Sequence, residues 1–328
     1  MEICDAHNDF LTAVKEKQKR AEIVDNFVLS GVKILSCAVF TTEQHLTIND
    51  VKNFKNEIDF YNKKYNSTTR AKNNENLLNS NDDSLNNFEN SVLNSKNANC
   101  LFLLSIEDIG FIKTKTDLLE LIKLKPFSVT LTWNYNNQFA GGALDNGGLT
   151  KFGKWAVKEL EANGILVDTA HLNKKSFWQF ERITTKPIYC SHANLYELKK
   201  HKRNLTKAQL NAIVNTNGYL GLTVYEKFIA NTKTSAQDIA KHFAHLVQNY
   251  NNSNFGLGTD FYGCNFCFCP VDVQNYLGFK HVNVGLRQLK IPPSIRHKLF
   301  AENFKNFVFK INSKNKLKKI IKNTKTKI

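Results

Sequence analysis

Eight apolar runs, separated by stretches of helical pattern, restrict most what this chain can fold into. They read as strands at 1–9, Val32–Phe40, Cys100–Glu107, Phe127–Thr132, Ile165–His171, Pro187–His192, Gly218–Thr223 and Asn254–Asp260. Most are apolar throughout, as a parallel sheet covered on both faces requires. Helices are expected at Leu11–Asn26, 41–65, Asp117–Lys123, from Thr150 to Asn163, Lys174–Arg182, Thr206–Thr216 and Ser235–Tyr250, with a closing helix over 293–310. Eight βα units in 328 residues predict an α/β fold, a (β/α)8 TIM-type barrel, as one domain over 1–311. The alternative, a doubly wound open sheet, would gather its polar residues near one switch point. Here they stand at the ends of at least five strands.

The strand ends carry the chemistry. Strand one closes with Asp5-Ala-His7-Asn-Asp9, whose alternate residues share a face. Glu107 leaves strand three, His171 strand five, His192 strand six and Asp260 strand eight. Taken singly, a histidine or carboxylate at a strand end is more often a hydrogen-bonded structural residue than a ligand. In a barrel, however, all six stand on one rim, the face where active sites sit. Three imidazoles and three carboxylates suit two divalent cations with one carboxylate bridging. Gly256 and Gly258 share a face with Asp260 and are expected to leave room at the mouth. Asp260 would then stay a free carboxylate, working as general base and acid.

Composition narrows the partners. The net charge is +16, but nine lysines fall between Lys305 and the last residue with no Asp or Glu among them. The excess is therefore largely a solvated Lys-rich tail, taken as 312–328, and no Arg-aromatic pattern of a nucleic-acid surface accompanies it. No uncharged apolar run is long enough for a transmembrane helix, and the N-terminus enters the first strand directly, so a cytoplasmic protein is expected. Seven cysteines, an odd number, fit reduced thiols better than a disulfide framework. Cys264, Cys267 and Cys269 read as a loop with free thiols, because no second Cys pair would complete a metal site. His242 and His245 lie on a helix outside the barrel and are left out of the site. Residues 66–99 are Asn- and Ser-rich and read as an insertion without assigned chemistry.

An ordered set of segments resembles the membrane dipeptidase (renal dipeptidase) family of zinc peptidases along nearly the whole chain. They are Asp5-Ala-His-Asn-Asp9, Ser105-Ile-Glu107, Leu131-Thr-Trp-Asn134, Gly148-Leu-Thr-Lys-Phe-Gly153, Val167-Asp-Thr-Ala-His171, Ser191-His192, His201-Lys-Arg-Asn204, Gly256-Leu-Gly-Thr-Asp-Phe-Tyr-Gly263 and Glu302-Asn303-Phe304. The resemblance implies two zinc ions (Zn2+) per chain, with His7 and Asp9 on one, His171 and His192 on the other and Glu107 bridging. It implies that Arg203, with Asn204 beside it, holds the C-terminal carboxylate of a substrate, and that Asp260 is catalytic. The expected activity is hydrolysis of dipeptides, L-L and L-D, through a metal-bridging hydroxide, by a protein that is a homodimer in many relatives. Another amide or a lactam is the alternative substrate, and a binding protein using the basic tail is a more distant one. Trp133 departs from the pattern: the best-known members carry histidine there, and tryptophan offers only its indole N–H.

Overall fold

The computed structural model describes residues 1–40, 46–66, 100–231, 233–250, 254–263 and 268–313. Eight strands close into one barrel in sequence order: β1 (Ile3–Asn8), β2 (Val32–Val39), β3 (Leu101–Ile106), β4 (Ser128–Thr130), β5 (Leu166–Asp168), β6 (Tyr189–Cys190), β7 (Tyr219–Leu222) and β8 (Asn254–Leu257). Every neighbouring pair is parallel, and Asp5 opposite Leu257 joins β1 to β8. This is the (β/α)8 barrel expected from the apolar runs, and the open sheet is excluded.

The strands are shorter than the runs that announced them. Past each ladder the chain bends away, and polar side chains take up the freed backbone N–H groups. Asp168 Oδ1 accepts from Ala170 N at 3.0 Å, and Thr259 Oγ1 from Phe261 N at 3.2 Å. His171, His192 and Asp260 consequently stand in loops just beyond β5, β6 and β8 rather than within the strands.

Most helices begin at the cap that their sequence supplies. Thr114 with Asp117 and Thr206 with Gln209 form capping boxes, and Thr150 accepts from Gly153 N. The helix expected at Leu11–Asn26 is instead a turn at Phe10–Ala13 followed by a helix at Lys17–Leu29. The break is held open by Arg20, which donates to the carbonyls of Val14 and Lys15 and pairs bidentately with Glu57 at 2.8 and 2.7 Å. A further helix, Phe279–Gln288, has no counterpart among the sequence expectations. The Asn- and Ser-rich stretch from 67 to 99, residues 314–328 of the tail, Cys264 and Cys267 lie outside the described residues. Cys269 is buried. Among the described residues no helix is long and apolar enough to cross a membrane.

Two apolar layers hold the barrel. One lies between the strands and the surrounding helices. The other fills the barrel's interior below the rim, where Tyr189 and Tyr219 meet Phe304, Phe307, Val308 and Ile311 of the closing helix. Tyr189 stacks on Phe307 with centroids 5.7 Å apart, and Tyr219 meets Phe304 at 4.9 Å. Each phenol also donates inward, Tyr189 to Ala6 O and Tyr219 to Leu257 O, both at 3.1 Å. The N-terminal mouth is thus sealed by aromatic side chains, and the polar rim at the other end is the open face.

Space at Gly258 is not the open room expected from the sequence. A Cβ there would lie 1.7 Å from the carbonyl oxygen of Ser191, so the missing side chain lets the end of β6 settle against the end of β8. Gly258→Ala should push Ser191 and the adjoining His192 outward. We expect a loss of at least about 1–3 kcal/mol in stability, read as a lower urea midpoint with unchanged slope.

Candidate metal centre

Six strand-end side chains meet in one group on the rim. The Glu107 carboxylate lies at its middle, with Oε2 2.9 Å from His7 Nε2 and Oε1 2.8 Å from His171 Nε2. His7 Nε2 is also 3.3 Å from Asp9 Oδ2 and 3.8 Å from Asp260 Oδ1. His192 Nε2 is 2.9 Å from His171 Nε2. The ligand atoms fall into two overlapping sets sharing Glu107: His7 and Asp9 on one side, His171 and His192 on the other. A third set joins Asp260 to His7 and His192.

Each imidazole is fixed through its other nitrogen. His171 Nδ1 faces Asn134 Oδ1 at 3.2 Å. His192 Nδ1 is 2.7 Å from Ser191 Oγ, and His7 Nδ1 is 3.4 Å from the same hydroxyl. A histidine held by an oxygen at Nδ1 directs Nε2 forward as a ligand atom. Asn134 and Ser191 were not singled out from sequence as site residues. They stood in the segments Leu131-Thr-Trp-Asn134 and Ser191-His192 without an assigned role, since neutral side chains carry no charge pattern to read.

The electrostatics are those of crowded acceptors. Burial opposes charge on His7, yet Asp9 and Glu107 raise its pKa well above the ordinary histidine value. Burial would raise Glu107, but His171 and His7 outweigh it and hold the carboxyl well below its usual range. Burial and then Arg203 depress His171 to about 4. Burial followed by the charge of Asp9 pushes Asp260 well upward.

Arg203 comes over the same group. It is buried, its Nη2 is 3.0 Å from His171 Nε2, and its guanidinium lies 5.6 Å from the centre of the Phe228 ring. Its Nη1 is buried without a hydrogen-bond partner among the described residues. Trp133 stacks near His171 at 6.1 Å and packs on Phe40 at 5.3 Å. Asn204 does not reach the group: its amide donates to Lys199 O and Phe228 O at 2.8 Å each and accepts from Asn194 N. It braces the loops that carry Arg203 and Phe228. Asp5 also stays apart, accepting from His7 N, Thr259 N, Thr259 Oγ1 and Tyr276 OH. His242 is buried between Leu195 N and Ile229 O, and His245 pairs with Glu197, so both remain outside the site.

The residues fit divalent cations. Both Asp9 oxygens and His7 Nε2 are buried and make no well-formed hydrogen bond among the described residues, although His7 Nε2 faces Asp9 and Glu107 at 3.3 and 2.9 Å. His171 Nε2 faces a carboxylate oxygen at 2.8 Å, an imidazole nitrogen at 2.9 Å and a guanidinium donor at 3.0 Å. No single proton on that nitrogen satisfies all three contacts. A cation between the lone pairs would answer the carboxylate and imidazole contacts, and imidazole with carboxylate is the donor set of zinc and its neighbours.

Both the sequence and the fold have known relatives. A sequence model described as membrane dipeptidase (peptidase family M19) matches residues 1–286. A protein of Klebsiella pneumoniae, described as uncharacterised and encoded in the pqqA 5' region, is 31% identical over 185 residues, covering 52% of this chain and 67% of that protein. Two further curated relatives are matched over 42% and 50% of their own lengths. Among solved structures, a dipeptidase of family M19 superposes with a TM-score of 0.75 at 18% identity, over 94% of this chain and 98% of that one. A metallopeptidase from Rhodobacter sphaeroides, solved with a phosphinate mimic of the dipeptide L-Ala-D-Ala, superposes with a TM-score of 0.73 at 17% identity, over 94% and 98%. At these identities the structural likeness is one of fold.

The shared carboxylate sets an order among ligand variants. Glu107→Ala should retain less divalent metal after gel filtration than either Asp9→Ala or His171→Ala, as read by elemental analysis. The first removes a ligand from both sides, the others from one.

Proposed function

Because this chain belongs to the membrane dipeptidase family, peptidase family M19, we propose that it is a zinc-dependent dipeptidase acting on dipeptides with a free C-terminal carboxylate. The observation that carries this reading is Arg203. A buried guanidinium with Nη1 unpartnered among the described residues, beside a cluster of metal-type ligands, calls for an anion. The carboxylate of a dipeptide, one residue beyond the scissile bond, meets that need bidentately. The dipeptide mimic bound by the Rhodobacter sphaeroides metallopeptidase supports both the substrate length and the tolerance of a D-residue at the second position.

Two zinc ions, one held by His7, Asp9 and Glu107 and one by Glu107, His171 and His192, would supply Lewis acidity toward the scissile carbonyl and a water of lowered pKa. Asp260 takes the proton of the attacking water on its carboxylate and passes it to the leaving amine. Arg203 fixes the C-terminal end of the substrate. Phe228 lies under the guanidinium and keeps water from its face. Trp133 and Phe40 form an apolar wall near His171. Trp133 acts there as a surface for substrate, since its ring accepts no proton.

Chelator-sensitive cleavage of L-L and L-D dipeptides, with tripeptides and amidated dipeptides left intact, is the expected result with zinc-reconstituted protein. Cleavage of amidated dipeptides or of lactams instead would move the substrate to another amide. Arg203→Met should lower kcat/KM on dipeptides roughly tenfold to a hundredfold, the weight of a charged hydrogen-bond pair. Asp260→Asn should keep its metal and lose about two to four orders of magnitude in kcat in steady-state assays.

A further inference from the structure

We propose that Ser191, backed by Asp168, is a positioning residue that couples the two halves of the metal centre. The inference rests on the two-cation reading above and goes beyond it. Ser191 Oγ is 2.7 Å from His192 Nδ1 and 3.4 Å from His7 Nδ1. The two rings lie 3.9 Å apart between centroids. These histidines belong to opposite sides of the Glu107 carboxylate. One hydroxyl therefore serves a ligand of each cation position.

The proton count makes that sharing consequential. A hydroxyl has two lone pairs and one proton. An imidazole that binds a cation through Nε2 carries its proton on Nδ1 and donates it. With both positions filled, Ser191 Oγ accepts from His7 and from His192, and its own proton goes elsewhere. The acceptor is at hand: the buried Asp168 carboxylate receives Ser191 N and Ala170 N at 3.0 Å each, which holds it beside Ser191. A histidine in the other tautomer would need the Ser191 proton for itself and would take it from Asp168. Filling either position thus orients the hydroxyl as the other position requires.

The backbone holds Ser191 still enough for this to operate. Its N–H is on Asp168, and its carbonyl is seated where a Cβ of Gly258 would otherwise be. Asn134 provides the contrast, because it supports His171 alone.

The test is a titration of the metal-free full chain with cobalt(II), followed by visible absorption and by competition with a chromophoric chelator. Wild type should take up two ions with positive coupling between the steps. Ser191→Ala should weaken both steps by about tenfold or more and abolish the coupling. Ser191→Thr, which keeps a hydroxyl, should restore it. Asp168→Asn keeps the shape and turns an acceptor into a donor, so it should lose the coupling as well and covers the case in which Ser191→Ala does not fold. Asn134→Ala should weaken one step only. A Ser191→Ala protein that binds both ions within twofold of wild type, or loses one step while keeping the other, overturns the proposal. A wild type that binds fewer than two ions overturns the two-cation reading itself, and the coupling with it.

Discussion

The rim is organised by a carboxylate held between two imidazoles out of reach of bulk water. Glu107 has His7 on one oxygen and His171 on the other, each within 3 Å. Charges placed so are costly unless every lone pair and proton finds a partner. The surrounding structure meets that demand from several directions: Asp9 and His192 complete the two sides, and Ser191 and Asn134 steady the rings. Arg203 brings positive charge from above. A barrel suits the task because its strands, far apart in sequence, deliver their ends to one ring. The sealed aromatic interior beneath lets that ring be rigid without being large.

Much of this was legible in the sequence, and the reason is polarity. An apolar run that ends in His, Asp or Glu stands out, so β1, β3, β5, β6 and β8 announced both the barrel and its candidate ligands. What escaped was neutral or local. Ser191 and Asn134 look like any loop residues, yet they hold the rings. Asn204 stood beside Arg203 in a recognisable segment, but its amide is spent on backbone carbonyls. Gly258 suggested open space where a neighbouring carbonyl sits. The split of the first helix depends on Arg20 finding Glu57, a contact between residues 37 positions apart that no local pattern encodes.

The seam between β1 and β8, where the barrel closes, is as thin as that between β5 and β6. One ladder pair, Asp5 with Leu257, joins the strands, whereas β2 and β3 share six. Backbone bonds continue the seam past it, from Asp260 N to His7 O at 3.1 Å and from Asp9 N to Phe261 O at 3.0 Å, and side chains reinforce it. Asp5, buried and raised in pKa by that burial, gathers both polar groups of Thr259 and the phenol of Tyr276. Asn8 donates to the same phenol at 2.9 Å. The closure of the barrel and the approach of Asp260 to His7 are therefore one event.

That seam has a consequence for how the protein is made. His7 and Asp9 leave the ribosome some 250 positions ahead of Asp260. At roughly 5–20 residues per second, the first strand waits about 12 to 50 seconds for the strand that closes on it. During that interval its histidine and carboxylates are exposed, and a cation captured then would meet half a coordination shell. Long-range closure of this sort also slows folding, since the loop must be gathered before any contact rewards it. A nascent chain of this design is therefore most exposed to wrong metals and wrong strand partners before its last barrel strand arrives.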